Sequence, residues 1–600
     1  MVNKKEMVEH LHEYSAVCSY DELKRFRSSA AFHASSKLNS TLRNHNAGLV
    51  QSIADNFDCN ISSMNGLRQT HSLALMMIQS GEDNNSKRDD IFSRLKVADM
   101  KDEDLPGVDI IPYRGSKKPD MPEHYADTTI LPPEFIAKQE KSAQLNSEFD
   151  FQFLKSIIIG ENIPEYSGFN TQRARESGQS LQKSTTAIYQ PLIDAKPSDH
   201  STILTAMKKA MELTASTDQS HTIFTCDQQL YKILVDIKWE QPHEFEMFIP
   251  RLGGMHFLMS YIGGVGTLMR NSGLEDLLKS AFGGVDKMLS GKNFPQNFRA
   301  LRMVVEAILG DSIGEMINDG ELMEFLEHAS QESRTSKLWI DNLIKPVQLM
   351  MLFVRAEREG DWPLHLYAVE KMIPLFFAAG HHNYARYGLC YLNDMKKLPD
   401  YLLVKFMRGE HVTRHQRGYW NGIWSDMFIE TTFMRYGKGP GGVIGITLKP
   451  KVVKKWAYSL QICTQLIHDL HKMRKKKTNS DKLIYKEESA GRIKSDNEDR
   501  SKIKKKLEEM IHPLKTCQHN GSLINIASGK IYKEEDTNAD NAAEVGTKQM
   551  NDFIASLPNG FHFPIKKDLK LIPSERKRIK VGETEIYNTE AIYARVMSHE

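Results

Sequence analysis

Along the first 270 residues the spacing of apolar positions changes several times. From Lys4 to about Asn44 they recur at helical intervals (Met7, Leu11 and Tyr14, then Tyr20, Leu23 and Phe26), which predicts two short helices, the second capped near Ser19. Gly48 to Asp58 has a different texture, with β-branched Val50 and Ile53, and Arg68 to Gln79 resumes an apolar run after Asn65-Gly66, a dipeptide suited to a tight turn. The expected order is strand, loop, strand. Ser80 to about Lys141 is dominated by charge, proline and glycine, and reads as a long surface excursion with a strand at Val108 to Pro112. Helices are expected at Phe149 to Ile159 and at Ser201 to Thr214, the latter with Ser198 or Asp199 as its cap. His221 to Asp227 reads as a short buried strand ending in a carboxylate. Gln228 to Ile237 reads as a helix, Phe245 to Leu252 as a strand, and Gly253-Gly254 opens a further helix.

Between Asn271 and Gly418 nearly everything is helix-periodic, with Trp362, Phe376, Tyr384 and Leu392 as core candidates. Trp420 to Tyr436 reads as one more helix, stopped by the glycine-rich run GKGPGGVIG. Val452 to Met473 is amphipathic and runs into Arg474 to Lys477, Thr478 to Asp499 is a polar stretch, and Lys502 to Ile511 is again helical. The chain therefore divides into an N-terminal helical arm (1–45), the first part of a mixed α/β core (46–270), a helical insertion (271–418), a final core helix with its glycine-rich loop (419–450) and a basic accessory region (451–600). No repeat of fixed period is present.

Composition adds exclusions. With 600 residues, 40% hydrophobic and 26% charged, the chain has enough apolar material for more than one core and is neither disordered nor fibrous. The longest apolar stretch, His256 to Met269, is broken by glycines and Ser260, so no membrane span is expected. The opening MVNKKEMVEHLHEYS lacks the apolar core of a signal peptide, which predicts residence on the cytosolic side of membranes. Six scattered cysteines without a CxxC pair fit a reducing compartment. The net charge of +2 hides an asymmetry of about +8 over 451–600 against about −6 elsewhere.

Three acids stand out by setting: Asp55 ending one strand, Asp227 ending another, and Glu430 midway along a helix. Carboxylates on strands joined by one from a helix are a way to hold two divalent cations for phosphodiester chemistry, since hard cations take oxygen ligands and leave positions for a phosphate. Strand alternation puts Asp55 and Asp58 on opposite faces, with Asp55 preferred and Asp58 the alternative. Asp426 shares a helix face with Glu430 and is the alternative third ligand. His71 and His256 each suit contact with a substrate phosphate, or a cap or partly buried imidazole. His411 and His415 have a zinc-like i,i+4 spacing, near Cys390, but no third ligand is dictated. Lys438 to Gly445 lacks the P-loop pattern; its glycine-rich backbone beside Glu430 still suits close approach to a nucleic-acid strand, with Lys438 at its edge. Arg474, Lys475, Lys476 and Lys477 offer phosphate contacts or an import signal.

The segments ADNFD with NGLRQTHSLAL, FTCDQQLY, RLGGMHFLMSYIG and WSDMFIETTFMRYGKGPGG resemble a widespread, apparently transposon-derived family of animal and fungal genomes, over roughly Tyr14 to Tyr593. The resemblance implies a ribonuclease-H-like core, interrupted by a large helical insertion before the last acid, and a transposase site in which Asp55, Asp227 and Glu430 hold Mg²⁺ or Mn²⁺. No zinc-binding or helix-turn-helix DNA reader is legible at the amino end. The expectation is a transposase-related protein processing DNA by two-metal chemistry, nuclear, or cytoplasmic if the basic clusters are not import signals, and able to form a homo-oligomer. The alternative is a non-catalytic nucleic-acid- or protein-binding module of the same origin; a third, a wholly helical scaffold, requires that the two acid-bearing segments not be paired strands.

Overall fold

The computed structural model describes residues 12–13, 18–37, 48–60, 69–81, 92–96, 105–125, 131–132, 134–141, 143, 184–313, 319–414, 420–438, 452–460, 462–463, 466, 489–515, 522–573, 579–581 and 584–586. Helix α1 (Tyr20–Lys37) is capped by Ser19, whose Oγ accepts from Glu22 N at 3.2 Å. Strands β1 (Val50–Asn60) and β2 (Gln69–Gln79) follow, then a short β3 (Thr186–Tyr189). Helix α2 (His200–Ala215) leads to β4 (Thr222–Cys226), α3 (Gln228–Glu240), β5 (Phe248–Leu252) and α4 (Gly254–Leu268). The strands form one mixed sheet in the order β3-β2-β1-β4-β5. β1 with β2 and β2 with β3 are antiparallel, whereas β1 with β4 and β4 with β5 are parallel, each parallel step crossing over through a helix. Pairing of Ser52 with Phe224 and of Ile53 with Thr225 excludes the wholly helical scaffold.

Both faces of the sheet are covered, which is why β4 and the second half of β2 read as nearly continuous apolar runs, while β1 carries buried polar residues among its apolar ones. On one face Ile53, Phe57, Ala74, Met76 and Ile78 meet Ile429, Phe433 and Trp456; on the other Ala54, Leu73 and Leu75 join the main core under α2. That main core runs without interruption into the helical block. There α5 (Phe294–Ile313), α6 (Lys345–Glu359), α7 (Trp362–Ala378) and α8 (His382–Lys396) bury Trp362, Phe376 and Leu392, while Tyr384 is half-buried. The last sheet-facing helix, α9, runs Ser425–Ile429, widens by a π turn at Glu430–Met434 and ends Arg435–Lys438. Residues 451–600 contribute α10 (Ala490–Glu508) and α11 (Ala542–Ser556), and their Ile503, Leu507, Ala542 and Phe553 sit in the same main core.

Several expectations change. Val108 to Pro112 is not a strand: Ile111 N and Tyr113 N donate to the hydroxyls of Thr205 and Ser201 on α2, so the segment straps that helix instead of joining a ladder. The read helix 420–436 starts only at Ser425, because Gly422–Ile423 pairs with Thr413–Arg414 as a two-stranded ribbon. His411 lies in a turn with its ring packed on Trp362, while His415, its partner in the zinc-like spacing, lies outside the described residues. The polar stretch 478–499 contains the start of α10, held to α5 by ion pairs from Arg299 to Asp496 and Asp499 and from Arg500 to Glu306. The expected helix Phe149 to Ile159 lies outside the described residues. Asp199, as read, caps α2 by accepting from Ser201 N. Among the described residues no helix is long and apolar enough to cross a membrane.

One buried acid makes stability depend on pH. Asp236 on α3 is 2% exposed, and its carboxylate lies 4.0 Å from His200 Nε2. Burial raises it to about 7 from an ordinary 3.8, against the pull of Lys232. A carboxyl raised in the fold stabilises below its unfolded value and loses that contribution as pH climbs through the folded one. Asp236→Asn should therefore gain on the natural chain by about 2–4 kcal/mol between pH 4 and 8. Urea titrations across that range read the difference; parallel pH profiles would show that Asp236 carries no such shift.

Candidate functional site

The sheet's direction change places the chemistry. β1 and β4 run parallel with Ile53 beside Thr225, so two residues further along each strand stand Asp55 and Asp227. Asp55 points, with Ile53 and Phe57, to the face that α9 covers, and the residue opposite it on β2 is Ala74, whose small side chain leaves room for a carboxylate. Asp227 follows β4 and caps α3, its Oδ1 accepting from Leu230 N at 2.9 Å. Gly253 follows β5 and caps α4, with its N–H bound to Cys226 O at 2.7 Å. The two helix starts thus lie side by side.

The paired glycines are there because α9 crosses them closely. A Cβ on Gly253 would lie 2.5 Å from Asp426 Oδ2, and one on Gly254 only 2.0 Å from Trp424 Cδ1. Asp426, 1% exposed, accepts from Met255 N at 3.2 Å and His256 N at 3.0 Å, completing the α4 terminus from another element. Its Oδ2 also meets His256 Nδ1 at 3.0 Å. One turn along α9 is Glu430. Ligand atoms of Asp55, His256 and Glu430 all lie within 4.8 Å of one another.

Asp55 is 4% exposed; Oδ1 accepts from Asn56 N at 2.7 Å and Oδ2 is buried without a hydrogen-bond partner. Burial pushes its carboxyl well above the usual range, Glu430 and Asp227 add to this, and His256 opposes it. Burial likewise raises Asp227, against the Leu230 N–H and His256. For His256, burial disfavours the cation, but the Asp426 hydrogen bond and charge, with Asp55 and Asp227, outweigh it and raise the ring to about 10. Asp426 goes the other way: burial would raise it, and its bonds to His256 and the α4 backbone hold it low. The raised His256 ring thus stands as a cation among carboxylates. An unpartnered buried oxygen, a second carboxylate and an imidazole within coordination reach fit a divalent cation in place of that proton.

The sequence candidates separate in space. Asp55, Glu430 and His256 converge, and Asp227 lies close enough to act on the charges of Asp55 and His256. Asp58, the alternative to Asp55, is exposed on the opposite alternation, where it holds His71 Nδ1 at 2.8 Å; this corrects both Asp58 as a ligand and His71 as a phosphate contact within the same site. Asp426, the alternative to Glu430, is committed behind His256 and is not among the converging ligand atoms. Lys438 is exposed at the end of α9, and Arg474 to Lys477 lie outside the described residues. What sequence reading missed is the pairing of Asp426 with His256: the motif residues were visible, but 170 positions separate them.

A family model described as Domain of unknown function (DUF8702) matches residues 165–321 and 313–600, so the chain belongs to that family. No curated protein and no solved structure matches.

Proposed function

We propose that this member of the DUF8702 family is a transposase-related, divalent-metal-dependent enzyme acting on DNA phosphodiesters through a ribonuclease-H-like core. The observation that carries the reading is the convergence of Asp55, Glu430 and His256, from sequence positions far apart, around the unpartnered Asp55 oxygen, with Asp227 beside them. The sheet supports it: three antiparallel strands, two parallel ones, one acid inside β1, one just past β4 and the third on the helix that closes the face, after about 150 mostly helical residues.

Mg²⁺ or Mn²⁺, held by Asp55 and Glu430 with His256 in reach and Asp227 beside them, would supply charge neutralisation at the phosphate and an activated hydroxyl at neutral pH. The chain's own residues do the rest. β1 and β4 fix the carboxylates on a rigid sheet, and Asp227 is held in place by capping α3. Asp426 fixes the His256 ring, and Trp424, packed against Phe353 and Phe294, ties α9 to the helical block so that Glu430 is positioned by the insertion as well as by the sheet. DNA is the proposed partner, and a nuclear location the proposed setting.

Purified protein should nick or join DNA with Mg²⁺ or Mn²⁺, lose this on chelation and regain it on readdition; Asp227→Asn should cost about 10²-fold or more. Activity that persists in chelator, or in Asp227→Asn at the natural rate, would sink the reading.

A further inference from the structure

We infer that the first ion at this centre is a transition metal held through His256, so that the site selects Mn²⁺ over Mg²⁺, with Asp426 as the residue that positions the imidazole. The inference rests on the metal-centre reading above and adds the identity of the ligand set and the ion it favours.

Three observations carry it. The converging trio is one nitrogen and two carboxylate donors, Asp55, His256 and Glu430, not the three carboxylates expected from sequence. Asp55 Oδ2 is buried and unpartnered within that trio, whereas the N–H groups of Met255 and His256 at the start of α4 are taken up by Asp426. His256 Nδ1 is bound to the Asp426 carboxylate at 3.0 Å, which leaves Nε2 as the nitrogen available to an ion. A carboxylate behind the far nitrogen of an imidazole is the arrangement that fixes the ring and strengthens it as a metal ligand. Asp426 is itself immobilised by two backbone N–H groups, so the carboxylate that orients the ring is fixed in place.

Ligand type then sets selectivity. Mg²⁺ is small, keeps its waters and takes oxygen, so exchanging a water for imidazole gains it little; Mn²⁺ accepts mixed nitrogen and oxygen donors. Asp227 stays outside the trio, where it caps α3 through Leu230 N.

The test uses the full-length protein and metal salts alone, with no DNA. Mn²⁺ binding is followed by the electron paramagnetic resonance of the free ion, and Mg²⁺ by its competition against bound Mn²⁺. The natural chain should bind Mn²⁺ at least about tenfold more tightly than Mg²⁺. His256→Gln should weaken Mn²⁺ by about tenfold or more and Mg²⁺ by less than about threefold, and Asp426→Asn should follow the same pattern more mildly. The competition needs no variant, so it stands even if His256→Gln fails to fold. Equal affinities in the natural chain, or an unchanged ratio in a folded His256→Gln, would overturn the imidazole ligand while leaving metal binding intact. Failure of the natural chain to bind either ion would overturn the metal centre itself.

Discussion

Asp55→Asn should abolish the proposed metal-dependent reaction, by about 10³-fold or more, and at the same time make the protein in chelator more stable than the natural chain at pH 8. Both halves come from one carboxyl. It is 4% exposed, one of its oxygens has no hydrogen-bond partner, and burial with two nearby acids raises its proton affinity well above the ordinary value. A group raised in this way stabilises the fold only while protonated, and that contribution fades as pH rises from the unfolded value through the folded one. Asparagine is neutral at every pH, so the gap between variant and natural chain should widen from pH 5 to pH 8 in chelator. Added Mn²⁺ should reverse the order, because an ion that binds only the folded natural chain stabilises it in proportion to the logarithm of its concentration. Thermal melts at the two pH values, with chelator or with Mn²⁺, read all of this. A variant less stable than the natural chain in chelator at pH 8 would show that Asp55 is not strained by its burial.

The second large effect is structural. Asp496→Ala should cost about 3–5 kcal/mol and release α10 from the helical block. Asp496 is 1% exposed and faces three guanidinium groups: Arg299 Nε at 2.6 Å, Arg302 Nη2 at 3.4 Å and Arg492 Nε at 3.4 Å. Removing the carboxylate leaves these cations packed together in partial burial, with Asp499 still beside Arg299 and Glu306 beside Arg302. Losing one partner of a buried charged cluster is far costlier than losing a surface pair. Hydrogen exchange should rise across residues 490–508 before the sheet opens, and urea should unfold the variant earlier. Unchanged exchange in α10 would mean that Ile503 and Leu507 alone hold the helix.

That helix also shows where reading a sequence stops. Its first half, AGRIKSDNEDR, is polar all round, and no local pattern distinguishes it from a solvated linker. It is ordered because its acids complement arginines on α5, some 194 to 200 positions away. β3 is similar: four residues, TAIY, become a strand only through β2, which they pair from Met76 to Gln79. Val108 to Pro112 has strand-like residues but finds hydroxyl acceptors on α2 in place of a neighbouring ladder.

By itself the sequence determined the elements whose signals are local. Apolar runs bounded by turn residues marked β2, β4 and β5, and β-branched Val50 and Ile53 marked β1; capping chemistry narrowed the start of α2 to Ser198 or Asp199; helical periodicity marked the block before α9; and alternation along β1 separated Asp55 from Asp58. It also marked the acids and His256 as residues worth following. Only the tertiary structure decided which of them meet. Asp426 turned from a rival of Glu430 into the anchor of His256, because two glycines let α9 lie against the start of α4, and close approach of backbones is a property of packing that no single stretch of chain encodes.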